Sequence, residues 1–139
     1  MRKVWTFFYG SFMNQDVLGK ADVHPTERQA ARLDGWDLEI APRATLVPSP
    51  ASCVYGILAK LTHSEIDKLY TKDWFSFGTY SPEAVLVTYA AARQAAAICY
   101  IAWQMEGGKP SDEYIGKMLS VAREHSFPKD YVRRIQSFL

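Results

Sequence analysis

Cysteine is scarce in this chain: Cys53 and Cys99 are the only two among 139 residues, and they form no CxxC pair. The 3 histidines do not cluster either. A disulfide framework and a structural zinc site are therefore not expected, and a chain of this length builds a core without such staples. Charge of one sign is also lacking. Lys and Arg total 16 against 15 Asp and Glu, a formal charge of +1, and no block of like charges stands out. A nucleic-acid surface needs clustered Lys and Arg, so nucleic acid is set aside as a partner. Long apolar runs are missing too. The longest apolar-rich stretch, Ala84 to Trp103, is Ala-rich and is interrupted by Arg93 and Gln94, which makes it too polar for a membrane span. Residues 1 to 20 do not have the layout of a signal peptide. The expectation is a reducing, cytoplasmic setting with no membrane partner.

What is present is an ordinary globular composition, 48% hydrophobic and 22% charged, rich in Tyr (8) and Trp (4). It fits a single domain over residues 1–139. The opening stretch organises the rest. Val4-Trp5-Thr6-Phe7-Phe8-Tyr9 reads as a buried strand that Gly10-Ser11 breaks, and Asn14-Gln15-Asp16 then reads as a helix start. A strand ending in a Gly-Ser turn points backbone N–H groups at one spot, which makes it a candidate anion-binding loop.

Further along, Trp36, Leu38 and Ile40 alternate with acids, the period of a half-buried strand. Pro48-Ser49-Pro50 predicts a turn, and Cys53 to Leu61 predicts a strand. Gly56 inside that strand points to a bulge or a close approach by another group. Thr62-His63-Ser64-Glu65 is a capping box opening a helix, with Ile66, Leu69 and Tyr70 at helical spacing. Tyr80 to Tyr89 and Ala95 to Trp103 read as two strands joined by a small turn. Ser111 caps a helix whose stripe is Tyr114, Met118, Val121 and Ala122, and Tyr131 to Leu139 forms a last short helix. Strand, helix, several strands and two C-terminal helices make an α+β chain with a curled, mostly antiparallel sheet.

Few residues carry chemistry on their own. Asp73 lies at a helix end and is followed by Trp74, Phe75 and Phe77. A carboxylate among aromatics is desolvated, which raises its pKa and improves it as a base; the ordinary alternative is a solvated helix-terminal Asp. Tyr80, Tyr100 and Tyr114 fall on three elements, and each is individually compatible with a core position. Cys53 and Cys99 sit in apolar strands and read as inert thiols.

Taken in order, the motifs resemble the γ-glutamylcyclotransferase family over nearly the whole chain. Tyr9-Gly10-Ser11 is similar to the family's Tyr-Gly-Ser-Asn substrate loop. Ala30-Arg32-Leu33, Arg43-Ala44-Thr45-Leu46 leading to Pro50, and Val54-Tyr55-Gly56-Ile57-Leu58 follow, then the capped helix and Tyr80. Pro110 to Tyr114 and Phe127 to Tyr131 resemble the C-terminal pattern of the glutathione-pathway branch. The resemblance implies a small, mixed, barrel-like sheet flanked by helices, with a substrate cavity at one mouth. It implies release of 5-oxoproline from γ-glutamyl amino acids or amines by attack of the substrate's own α-amine, with no metal or cofactor. The implied substrate-binding set is Thr6, Phe7, Phe8, Tyr9, Gly10, Ser11, Phe12, Tyr80, Tyr100 and Tyr114. A small-molecule partner follows, and a homodimer is compatible with it.

Two positions depart from the family pattern. Its catalytic Glu, in a Glu-Gly pair seven residues before the Tyr matching Tyr80, falls on Asp73, followed by Trp74. The carboxylate is kept but shortened by about 1.5 Å of reach, and a misplacement near 1 Å costs on the order of a hundredfold. Phe12 stands where the loop usually has Asn. The rival reading is a non-catalytic relative that binds a small carboxylate or amide in the same pocket. A variant that accepts a larger leaving amine is a further alternative.

Overall fold

The computed structural model describes residues 2–70, 78–105 and 107–139. Five strands close into a barrel in the order β1-β3-β2-β4-β5. β1 (Lys3–Phe8) runs antiparallel to β3 (Ala44–Thr62), with Lys3 opposite Thr62 and Phe8 opposite Ile57. On its other side β1 is parallel to β5 (Arg93–Met105), with Thr6 opposite Ile98. This parallel pair makes the sheet mixed, and all other pairings, through β2 (Arg28–Ile40) and β4 (Gly78–Tyr89), are antiparallel. The fold is α+β, as expected.

The helices are built by their caps. The Asn14 side chain accepts from the Asp16 N–H at the start of α1 (Gln15–Lys20). The capping box forms at α2 (His63–Tyr70): the Thr62 N–H donates to Glu65 at 2.8 Å, and the Glu65 N–H donates to the Thr62 hydroxyl at 3.1 Å. Ser111 accepts from the Tyr114 N–H to open α3 (Asp112–Glu124), which buries Ile115, Met118, Leu119 and Ala122 along one stripe. α4 (Lys129–Gln136) buries Tyr131 and Ile135. It is tied to β2 by Arg134, whose Nη2 donates to the Leu38 carbonyl at 2.9 Å and to Asp37 at 3.3 Å.

The expected turn at Pro48-Ser49-Pro50 is not a strand boundary. β3 runs through both prolines and carries a large bulge there. Asp34 pairs with Cys53, but Trp36 pairs with Pro48, so Gly35 (φ +90°) lies opposite the excursion at Ser49 to Ser52. Pro50 lies inside the excursion, where no ladder N–H is needed, and Pro48 stands at its edge opposite Trp36. The Ser49 and Ser52 hydroxyls close it at 2.7 Å.

Gly56 lies under a close approach by the end of β1. A Cβ there would lie 2.2 Å from the Phe8 carbonyl oxygen and 2.7 Å from the Phe7 ring. Phe7 and Phe8 are almost fully buried, so neither has room to move aside. The sequence expectation of a close approach at Gly56 is met by the last two residues of β1. Gly56→Ala is expected to destabilise the fold by about 3 kcal/mol or more, since overpacking alone costs about 1–3 and here a backbone oxygen must shift as well. The same change at Gly116, exposed on α3 with nothing within 4 Å of its Cβ, is expected to stabilise by about 0.5–1 kcal/mol. Urea unfolding of the two variants side by side reads both signs.

Candidate active site

β1 stops at Phe8, and beyond it β3 and β5 are joined directly. The Thr45 hydroxyl donates to the Ala102 carbonyl at 2.7 Å and accepts from the Ala102 N–H at 3.0 Å. The chain leaves β1 at Tyr9 and makes one tight 3-10 turn over Ser11–Met13, closed by the Met13 N–H on the Gly10 carbonyl. Asn14 then caps α1 and reaches across to the Lys117 carbonyl on α3. Arg28 donates to the Met13 carbonyl. The loop is held from both sides.

Gly10 allows a second close approach. Its φ of −111° is ordinary, but a Cβ would stand 3.0 Å from the Ala44 Cβ and 3.1 Å from the Tyr114 hydroxyl. Ala44 is itself clamped. Its N–H donates to the Tyr114 oxygen at 2.9 Å, and its carbonyl accepts from the Tyr80 hydroxyl at 2.6 Å. Tyr9 is buried and spends its hydroxyl on the Tyr100 carbonyl at 2.6 Å. Tyr100 and Tyr70 stack, 3.7 Å between centroids and 10° between planes. Phe12 meets Tyr70 edge-on at 5.5 Å and Phe8 at 5.9 Å.

These residues enclose a half-open recess of about 350 Å³, counting its mouth. Of the expected substrate-binding set, Phe8 to Phe12 and Tyr80, Tyr100 and Tyr114 line it. Thr6 and Phe7 do not; they lie deeper along β1, packed in the core. Phe7 spends its ring against Gly56. Asp73 and Trp74 lie outside the described residues.

Three lining residues had no site role in the sequence reading: Arg43, Ala44 and Tyr70. Arg43 and Ala44 were visible only as part of a motif before a strand. Tyr70 had the spacing of a core residue on α2, and its place against Tyr100 arises from two elements that are far apart in sequence.

The electrostatics favour neutral hydroxyls. Burial raises the pKa of Tyr9, Tyr70, Tyr80 and Tyr100. Burial also raises Tyr114, opposed by the Ala44 N–H, the Arg43 charge and the neighbouring Ser11. The Arg43 guanidinium carbon sits 5.8 Å from the centroid of the Tyr114 ring. The Tyr114 oxygen accepts from the Ala44 N–H, so its own proton is left to donate toward the recess. Chemically, the recess offers hydroxyl donors, one tight backbone turn and an aromatic wall. Among the described residues no group of His, Cys, Asp and Glu has the arrangement of a metal site.

Comparison with known proteins bears on the family and the fold. The chain matches the model of the AIG2-like family over residues 53–135. The γ-glutamylcyclotransferase of Bos taurus is 26% identical over 94 residues, 68% of this chain and 50% of the relative. The chain thus spans about half the length of that curated relative. A solved γ-glutamyl cyclotransferase superposes with a TM-score of 0.82 at 20% identity, over 98% of this chain and 88% of the other. A γ-glutamyl cyclotransferase specific to glutathione from yeast superposes with a TM-score of 0.70 at 13% identity, over 99% and 96%.

Tyr114→Phe is expected to cost about 1–3 kcal/mol in urea unfolding, because it leaves the buried Ala44 N–H without its acceptor. An unchanged midpoint would mean that the clamp adds nothing. The tyrosines also set an alkaline limit. Their hydroxyls stay neutral in the folded chain at a pH where the unfolded chain ionises them. The stabilisation is therefore complete below the ordinary tyrosine pKa of about 10 and is lost as pH rises above it. Ultraviolet titration is expected to show most tyrosines ionising late and together with unfolding.

Proposed function

Because the chain belongs to the AIG2-like family, we propose that it cyclises γ-glutamyl amino acids or amines to 5-oxoproline and a free amine. The observation that carries this reading is the meeting of the Gly10-Ser11 turn with the Tyr80 and Tyr114 hydroxyls, around Ala44, in one recess. The relatives named γ-glutamyl cyclotransferases, one of them specific to glutathione, supply the substrate class.

The chemistry is intramolecular. The substrate's α-ammonium loses a proton, and the amine nitrogen attacks the γ-carbonyl carbon. The C–N bond to the leaving amine then breaks, and the proton passes to that amine. No water is consumed and no protein nucleophile is needed. The substrate supplies the proximity, and the protein has to fold it back on itself. Asp73 is the proposed general base and acid, the carboxylate at the position of the family's Glu. The neutral Tyr114 hydroxyl, whose proton is not used on Ala44, and the loop's N–H groups stabilise the negative charge that develops on the carbonyl oxygen. The reaction asks for no metal or cofactor, and the enzyme is expected to act in the cytoplasm.

The replacement of Glu by Asp at position 73 favours a second reading, a relative that binds a small carboxylate or amide without turning it over. One assay separates the two, 5-oxoproline release from a panel of γ-glutamyl amino acids and γ-glutamyl amines. Release by the wild type, lowered about 10²–10⁴-fold in Asp73→Asn, is the expected result. Release only after Asp73→Glu would establish the binding-only reading, and no release from any member by folded wild type would end the catalytic one.

A further inference from the structure

Arg43 carries the only formal charge among the described residues that line the recess. Its backbone is held on both sides. The Arg43 carbonyl accepts from the Ala41 N–H at 3.1 Å. The next residue, Ala44, is bonded at its N–H by Tyr114 and at its carbonyl by Tyr80. The side chain is steered as well, with its Nε buried and its guanidinium carbon beside the Tyr114 ring. Its charge is felt at both the Tyr80 and Tyr114 hydroxyls. A planar fork of donors delivered from a pinned backbone into an aromatic, partly desolvated recess suits one ligand chemistry above others, a carboxylate bound through two N–H groups. Side-chain hydroxyls alone give such a group weaker, uncharged bonds.

We propose that Arg43 is the specificity residue of this recess and holds a substrate carboxylate. The inference rests on the cyclisation reading only for the identity of the molecule that bears the carboxylate. A γ-glutamyl amino acid offers two sources, the α-carboxylate of the glutamyl unit and the carboxylate of the leaving amino acid; a γ-glutamyl amine offers only the first. Held at either, the substrate is anchored at one end, and its rotational freedom falls before the ring closes.

The test uses the full chain carrying Asp73→Asn, so that γ-glutamyl probes stay intact, with calorimetric binding as the readout. Two pairs of probes each differ by a single carboxylate: 5-oxoproline against its amide, and γ-glutamylglycine against γ-glutamylmethylamine. The acid member of at least one pair is expected to bind about 10- to 100-fold more tightly than its neutral partner. Arg43→Met is expected to erase that preference and Arg43→Lys to restore part of it, with thermal midpoints showing all variants folded. Loss of preference in the first pair assigns the glutamyl carboxylate, and loss in the second assigns the leaving-group carboxylate; either supports the inference. A preference that survives Arg43→Met in both pairs, or no preference before the substitution, overturns it. Because binding is read without turnover, an Arg43-dependent preference in a chain whose wild type releases no 5-oxoproline leaves this inference standing while the cyclisation reading falls.

Discussion

The Phe8 carbonyl oxygen occupies the space that a side chain at position 56 would need. That contact sets how closely the end of β1 lies on β3, and from it follows the point at which the chain turns out of the barrel. Tyr9 then drops its ring into the core and bonds the backbone of β5. Gly10 repeats the device one step later, passing Ala44 and the Tyr114 hydroxyl at a distance that leaves little room for a β-carbon. Two glycines, one in β3 and one in the loop after β1, neither at positive φ, thus bring three elements together around one recess. Their use here is absence of volume rather than freedom of φ.

The recess and the fold draw on the same hydrogen bonds. Tyr80 and Tyr114 bracket Ala44, and Thr45 joins β3 to β5 one residue later. Tyr114 holds the backbone as an acceptor, which leaves its proton as a donor fixed in direction, and preorganised donors are worth most where water is excluded. Burial keeps these phenols neutral, so they act through their protons and not as bases. Under the proposed reading, that division leaves proton abstraction to a carboxylate and charge recognition to Arg43.

Much of the architecture was legible along the chain because it depends on short-range chemistry. The capping box at Thr62 to Glu65 and the Ser111 cap are local bonds between residues three apart, and both form as the residue types dictate. Gly56 within an apolar strand signalled a close approach, although not what would approach. The prolines at 48 and 50 misled for an equally physical reason. Proline excludes an ordinary ladder position, but a bulge opposite Gly35 also satisfies that restriction, and only the pairing partner distinguishes a bulge from a turn. Thr6 and Phe7 were grouped with the loop by adjacency, whereas burial along β1 carries them into the core.

The sequence by itself determined the ordinary globular composition, the element order, the capped helices and the loop that leaves β1 at Gly10. These follow from composition, period and neighbour chemistry. Only the tertiary structure decided that the barrel closes through a parallel β1–β5 pair, that Tyr70 stacks on Tyr100, and that Arg43 and Ala44 stand in the recess. Those facts join residues tens of positions apart, and no local propensity encodes a contact whose partner lies on another strand. The strand–turn–helix signal at residues 4 to 13 was readable in one dimension. Its role as one wall of a tyrosine-lined recess exists only once β3, β4, β5 and α3 have been folded against it.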